Sequence, residues 1–121
     1  MIAIAIIENN NFYRESLKTA LNQIDGFEVV FADDNIALLL DSNAEFSFQI
    51  ILLDWTYYDA EVTRKMVQLY PNSKILILSN YVESSFPDIQ LDGVLLDFIP
   101  KCSAKNVFEQ KIKKSLIASI I

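Results

Sequence analysis

Short apolar blocks recur along the chain, and each has the length of a β-strand. Five blocks stand out, at residues 2–7, 27–31, 50–53, 75–78 and 94–99. The blocks at 50–53 and 75–78 contain no alternating polar residues, which is typical of parallel strands covered on both faces. The pattern therefore predicts a parallel sheet with helices on both sides.

Helical spacing appears between these blocks. Apolar residues spaced three or four positions apart predict a first helix, and they are Tyr13, Leu17, Ala20, Leu21 and Ile24. Asn11 is its predicted N-cap. A second helix is predicted over about 35–40, and a third over 59–69, where Pro71 ends it. Pro87 disfavours the fourth helix, at 83–91. The last helix should bury Val107, Phe108, Ile112 and Leu116 and keep its lysines outside.

Strand and helix thus alternate five times. This alternation predicts an α/β fold with a doubly wound sheet and right-handed crossovers, and we expect the flavodoxin-like strand order 2-1-3-4-5. The 121 residues, 52% of them hydrophobic, are enough for one core, so we expect a single domain over 1–121. In such sheets the working crevice lies beyond the carboxyl ends of the strands.

Composition and charge disfavour several classes of protein. The formal net charge of −6 argues against direct nucleic-acid binding by this segment. No apolar run reaches the roughly 18 residues of a membrane helix, and no basic residue precedes the first block as in a signal peptide. The single cysteine, Cys102, fits a reducing compartment. We therefore expect a cytoplasmic protein without a membrane segment.

Polar side chains follow the predicted strands where their carboxyl ends should meet. The residues at these ends are Glu8 and Asn9, then Asp54, Ser79 and Lys101. Two carboxylates, an amide, a hydroxyl and an ammonium suit phosphoryl transfer to a carboxylate, with a divalent cation on oxygen ligands. The chain has no histidine, so neither a hydrolase triad nor a zinc site is expected.

Four segments occur in an order that points to a known family. They are Ile6-Ile7-Glu8-Asn9-Asn10-Asn11-Phe12-Tyr13-Arg14-Glu15-Ser16-Leu17, Ile51-Leu52-Leu53-Asp54-Trp55-Thr56, Ile77-Leu78-Ser79 and Phe98-Ile99-Pro100-Lys101. Together they resemble response-regulator receiver domains, in particular those joined to helix-turn-helix output domains (the LuxR/NarL type), whose opening usually reads I-V-D-D-H-P-x-F-R-x-G-L. The resemblance covers essentially the whole chain.

The resemblance implies a receiver of two-component signalling that takes a phosphoryl group from a histidine kinase. Asp54 would accept the phosphate. A magnesium ion would lie among Glu8, Asn9, Asp54 and the backbone carbonyl of Thr56. The domain would catalyse at most its own phosphorylation and dephosphorylation.

The resemblance also implies a switch. Ser79 would bond the phosphoryl group, Lys101 would pair with Asp54 or its phosphate, and Phe98 would be the aromatic residue that moves inward. The signal would leave through the last strand and its flanking helices to an output domain or partner protein. The apolar end of the chain, with Ile117, Ile120 and Ile121, would suit a homodimer contact or a linker.

The acidic pair departs from the family pattern. Receivers usually have Asp-Asp where this chain has Glu8-Asn9. An amide oxygen is a neutral ligand, so the formal charge of the site, Lys101 included, is about −1 rather than about −2. We therefore expect magnesium to bind weakly.

Two alternatives follow from the same residues. In a pseudo-receiver, a static ion pair between Lys101 and Asp54 would leave the fold as a phosphorylation-independent interaction or dimerisation module. A flavodoxin-like nucleotide or flavin binder would need a phosphate-cradling loop after the first strand. Residues 8–12 contain no glycine and place a carboxylate there, which disfavours this alternative.

Overall fold

The computed structural model describes residues 1–41, 46–80 and 95–118. Five parallel strands form one sheet in the order β2-β1-β3-β4-β5. They are β1 (Ile2–Ile7), β2 (Phe27–Asp33), β3 (Ile50–Asp54), β4 (Lys74–Ser79) and β5 (Leu95–Pro100). The predicted order 2-1-3-4-5 and the doubly wound α/β class are confirmed. Of the predicted strand positions, only Val94 lies outside the described residues.

Three α-helices pack on the sheet: α1 (Asn11–Asn22), α2 (Ala60–Leu69) and α3 (Lys105–Ala118). The third predicted helix is confirmed as α2, because Asp59 caps it and it ends one residue before the Tyr70-Pro71 bond. The predicted helix over 83–91 lies outside the described residues. Within those ranges, no helix is long and apolar enough to cross a membrane.

The predicted helix over 35–40 is wrong. The chain forms only a 3-10 turn at Ile36–Leu38, because the side chain of Asn35 accepts from Ala37 N at 3.0 Å and the turn closes at Leu39. A segment this short gains too few hydrogen bonds to overcome helix nucleation. Burial of Leu39, which is fully enclosed, holds the turn against the sheet instead.

The N-cap of α1 is Asn10 rather than the predicted Asn11. Asn10 has an extended backbone, and its Oδ1 accepts from Tyr13 N at 2.9 Å. Asn11 is already the first helical residue, and its Oδ1 accepts from the guanidinium of Arg14 at 2.5 Å. The helix therefore begins one residue earlier than predicted.

Side chains of each strand point alternately to two separate cores. Ile4, Ile6 and Leu52 pack under α1 and α3, whereas Ile7 and Leu53 pack on the α2 side. All five are fully buried, and each such side chain contributes about 1.5–3 kcal/mol of hydrophobic stabilisation. This burial on both faces explains why the strands carry uninterrupted apolar runs, as predicted.

The inner face of α3 is confirmed, but its lysines are not all outside. Phe108 and Ile112 are buried and Val107 and Leu116 are half-buried, whereas Lys113 and Lys114 are exposed. Lys111 differs, because its Nζ donates to the backbone carbonyl of Phe98 at 2.9 Å and to Asp97 Oδ2 at 3.2 Å. This lysine ties α3 to β5.

Replacement of the two asparagines should identify the cap of α1. We expect Asn10→Ala to lower the free energy of unfolding by about 1 kcal/mol, because it removes the acceptor for Tyr13 N. Asn11→Ala should cost less, since alanine is the better residue inside a helix. Urea unfolding of both variants checks this, and equal losses would contradict the assignment of the cap.

Candidate functional site

A cavity of about 490 Å³ opens at the carboxyl edge of the sheet. It is lined by Glu8, Asn9, Asn10, Tyr13, Asp54, Thr56, Asn80, Lys101 and Cys102. The fold thus brings together all four residues that were predicted to surround a cation, and Lys101 with them. The loops after β1, β3, β4 and β5 meet there, as expected for the strand ends of a doubly wound sheet.

The ammonium of Lys101 bridges the two carboxylates of the cavity. Lys101 Nζ lies 2.5 Å from Asp54 Oδ1, 2.8 Å from Glu8 Oε2 and 3.0 Å from Glu8 Oε1. The side chain of Glu8 is fully buried, that of Asp54 is 2% exposed and that of Lys101 is 16% exposed. The expected meeting of these three groups is therefore present, with the ammonium between the acids.

Opposing effects set the pKa of Lys101. Burial alone lowers this pKa, but the hydrogen bonds and charges of Asp54 and Glu8 outweigh burial and raise it above its usual 10.5. Because the folded pKa is the higher one, this ion pair stabilises the fold fully below pH 10.5. The contribution of the Lys101 charge is lost as the pH rises through the folded pKa.

Asp54 is held through both of its carboxylate oxygens. It ends β3 and caps the short turn Trp55–Tyr57. Its Oδ2 accepts from Thr56 N at 3.3 Å and from the Thr56 hydroxyl, while Oδ1 contacts Lys101. A group that reacts with Asp54 must therefore replace one of these contacts.

The backbone of β4 fixes the start of the Lys101 loop. Lys101 N donates to the carbonyl of Ser79 at 2.8 Å. The Lys101 side chain then passes over the ring of Tyr13, with Nζ 5.4 Å from the ring centroid, a distance suited to a cation–π contact. The ammonium is thus positioned from three directions, by β4, by α1 and by the carboxylates.

Ser79 and Phe98 lie beside the cavity rather than in its lining. Ser79 is the last residue of β4 and is fully buried. Phe98 is 5% exposed and packs in the α2-side core, with its ring centroid 6.4 Å from that of Trp55. Both residues are close enough in the fold to follow a change at the cavity, and their switch roles stay predictions.

Several lining residues had not been predicted as site residues. Tyr13 was assigned only to the apolar stripe of α1, yet its half-buried ring forms part of the cavity wall. Asn10 N donates to Glu8 Oε1 at 3.1 Å, so the turn after β1 also orients that carboxylate. The run of polar residues 8–10 could have predicted Asn10 as a site residue. The hydroxyl of Tyr13 could have done the same for that residue, because the family pattern has Phe at its position.

The predicted cation ligands in the cavity are all oxygen atoms. Glu8, Asn9, Asp54 and Thr56 line it together, which fits a hard cation such as magnesium. Within the described ranges, no group of three or more His, Cys, Asp or Glu side chains is placed to hold a metal ion. Since an ammonium already neutralises one of the two carboxylate charges, the residues fit a magnesium ion that is bound weakly.

Comparison with known proteins gives a consistent picture. No protein-family model matches the chain. The chain is 30% identical over 88 residues to the transcriptional regulatory protein DegU of Brevibacillus brevis; the match covers 70% of this chain and 37% of the length of that protein.

Solved structures show the same fold. A CheY-like response regulator receiver domain protein from Methanospirillum hungatei JF-1 superposes with a TM-score of 0.71 at 21% identity, covering 99% of this chain and 97% of that one. A LuxR family DNA-binding response regulator from Silicibacter pomeroyi gives a TM-score of 0.69 at 18% identity, covering 97% and 93%. The likeness extends over nearly the whole chain.

Removal of the bridging ammonium should destabilise the fold in a pH-dependent way. We expect Lys101→Met to lower the free energy of unfolding by about 3 kcal/mol near neutral pH, because two buried carboxylates lose their counter-ion. The raised pKa of Lys101 keeps its ammonium charged in the folded wild type, so the wild type should hold this advantage over the variant from neutral pH up to about pH 10.5. The difference in stability between the two proteins should therefore shrink as the pH rises above about 10.5 and Lys101 loses its proton.

The control for this prediction is Lys114→Met, which removes an exposed lysine from α3. Urea unfolding at several pH values compares the two variants with the wild type. A Lys101→Met profile that runs parallel to that of Lys114→Met would contradict the bridging role of Lys101.

Proposed function

This chain has the fold of a response-regulator receiver domain, and from that premise we propose that residues 1–121 act as a two-component signalling receiver phosphorylated on Asp54 by a histidine kinase. The observation that carries the proposal is the contact of 2.5 Å between Lys101 Nζ and Asp54 Oδ1 at the floor of an open cavity. A carboxylate that lines a cavity and has an ammonium beside it supports a role as phosphoryl acceptor.

The chemistry requires one carboxylate oxygen and a donor. An oxygen of Asp54 attacks the phosphorus of a phosphohistidine; the O–P bond forms as the P–N bond breaks, and the imidazole nitrogen leaves with the electron pair. Lys101 neutralises charge on the phosphoryl oxygens, and the hydroxyl of Thr56 must release Asp54 Oδ2 if that oxygen attacks. In this proposal, the residues of this chain catalyse only the phosphorylation and dephosphorylation of the domain itself.

Glu8, Asn9, Asp54 and the Thr56 carbonyl are the residues that would hold magnesium. When bound, magnesium would supply further positive charge to the transferring phosphoryl group. The neutral amide of Asn9 makes this a weak magnesium site. Lys101 would therefore supply a larger share of the positive charge near the phosphoryl group.

Phosphorylation would act on partners through Ser79 and Phe98. Phe98 packs against Trp55, and its carbonyl accepts from Lys111 of α3, which gives a path from the cavity to β5 and α3. The receiving partner would be an output domain, a partner protein or a second copy of this chain. The acidic net charge supports partners other than nucleic acid for this segment. We place the chain in the cytoplasm, where the proposed histidine kinase would phosphorylate it.

A pseudo-receiver is the second candidate, and one observation favours it. Lys101 contacts both Glu8 and Asp54, so its ammonium already lies between the two carboxylates that a divalent cation would bind. In that case the state of the domain would depend on partner binding alone. A flavin or nucleotide binder is disfavoured, because the carboxylate of Glu8 faces the cavity in which its phosphate would lie.

Phosphorylation of Asp54 can be measured directly. We expect the wild-type chain to gain one phosphoryl group when incubated with acetyl phosphate and magnesium, and Asp54→Asn to gain none, because an amide does not form the acyl phosphate. Intact-protein mass spectrometry detects the modification. Asp59→Asn is the control, since Asp59 caps α2 outside the cavity and asparagine also caps helices.

Two outcomes would contradict the proposal. Labelling that persists in Asp54→Asn would show that another residue accepts the phosphoryl group. A wild-type chain that stays unlabelled even at high magnesium concentration would favour the pseudo-receiver.

The charge of residue 9 should control magnesium affinity. We expect Asn9→Asp to bind magnesium about tenfold more tightly than the wild type, because the variant adds a carboxylate among the predicted ligands. The fluorescence of Trp55, the only tryptophan, reports the titration from a position next to Asp54.

The control for this prediction is Asn80→Asp, which adds the same charge to the cavity lining after β4. Equal tightening in both variants would show a general charge effect rather than a ligand role for residue 9. Unchanged affinity in Asn9→Asp would show that the weakness has another cause.

A further inference from the structure

Tyr13 separates two neighbouring cavities. It lies in the first turns of α1 and lines both the cavity at the strand ends and a smaller one of about 170 Å³ between α1 and α3. Lys101 also lines both cavities, and its ammonium lies over the Tyr13 ring. Tyr13 is therefore next to the group that contacts Asp54.

The hydroxyl of Tyr13 is buried, and no described residue forms a hydrogen bond with it. Two other tyrosines differ, since Tyr57 donates to the carbonyl of Asp34 and Tyr70 to that of Leu39, each at 2.6 Å. Buried polar groups in folded proteins are almost always paired, with protein atoms or with water. The hydroxyl of Tyr13 is therefore a donor left free by the described residues, and water or an oxygen of a bound ligand can pair with it.

Electrostatics keep this hydroxyl protonated. Burial raises the pKa of Tyr13 far above its usual value, and the charges of Glu8 and Asp54 raise it further. A phenol that retains its proton is a hydrogen-bond donor, and the strongest acceptor for it is an anionic oxygen. The cavity that Tyr13 lines is the place where the proposed reaction brings such oxygens.

We propose that Tyr13 is a further binding residue of this site, whose hydroxyl donates a hydrogen bond to an oxygen of the phosphoryl group held between Asp54 and Lys101. This inference rests on the proposed function. The receiver pattern has phenylalanine at this position, so the hydroxyl is a feature of this chain. Tyr13 and Lys101 would then contact the same oxyanion, one as a neutral donor and the other as a cation.

Tyr13→Phe isolates the hydroxyl, because the ring and its contact with Lys101 are retained. The probe is beryllofluoride, a mimic of the phosphoryl group, added with magnesium and followed by Trp55 fluorescence. We expect Tyr13→Phe to bind it about tenfold more weakly than the wild type, as for loss of one hydrogen bond to a charged group. Its free energy of unfolding should not fall, because the hydroxyl forms no hydrogen bond with any described residue.

Tyr70→Phe is the matched control. It also removes one buried phenol hydroxyl, but this hydroxyl bonds to Leu39 in the core on the α2 side, outside the cavity lining. We expect Tyr70→Phe to lower stability and to leave beryllofluoride affinity unchanged. The two variants should thus show opposite patterns, which a general loss of folding would not produce.

The outcomes separate this inference from the proposed function. If the wild type binds beryllofluoride and Tyr13→Phe binds it with the same affinity, the role of Tyr13 is overturned and the proposed function stands. If the wild type binds none, both are overturned, because no oxyanion then enters the cavity. Weaker binding by Tyr13→Phe at undiminished stability supports the inference.

Discussion

The contact of Lys101 with Glu8 and Asp54 is the interaction on which the site depends. Both carboxylates are almost completely buried, and two negative charges at that depth are stable only with a counter-ion close to them. The pairing of Ile7 with Leu53 across β1 and β3 makes Glu8 and Asp54 neighbours. Lys101, 93 positions after Glu8, must then reach this point for the sheet edge to close around the acids.

The sheet supplies that geometry because its apolar runs end in register. Ile50 to Asp54 pair in order with Lys74 to Leu78, so the polar residues after β3 and β4 emerge at one edge. Ser79 in turn lies opposite Pro100, directly before Lys101. β3 is buried along its whole length, and β1 and β4 are buried at their carboxyl ends, where they meet the cavity. The two hydrophobic cores therefore determine where the charged groups lie, although they contribute none of them.

The sequence was sufficient for the strands and for the grouping of Glu8, Asn9, Asp54 and Lys101, because apolar runs and strand-end residues are local features. Prediction from the sequence was wrong where two local structures are nearly equal in energy. Asn10 and Asn11 are the same residue type, and only the position of the helix start decides which one caps α1. Positions 35–40 are as apolar as a buried helix, and tertiary packing of Leu39 selects a turn there. The double contact of Lys101 and the unpaired hydroxyl of Tyr13 depend on side-chain placement across distant segments, which periodicity does not encode.

Charge balance connects the phosphorylated and unphosphorylated forms of the proposed receiver. The phosphoryl group carries about 1.5 to 2 negative charges and replaces the single charge of the Asp54 carboxylate, so the site gains at most about one negative charge. Lys101 is the ammonium that already contacts this residue. Any movement of Lys101 toward the phosphate weakens its contact with Glu8, which is fully buried and otherwise accepts only from Asn10 N among the described donors. Because Glu8 is fully buried, loss of the ammonium would leave its charge without a counter-ion, which a bound cation would supply. In the proposed receiver, one lysine would therefore couple phosphorylation of Asp54 to cation binding at Glu8, and the neutral amide of Asn9 would leave that coupling without a third carboxylate to share it.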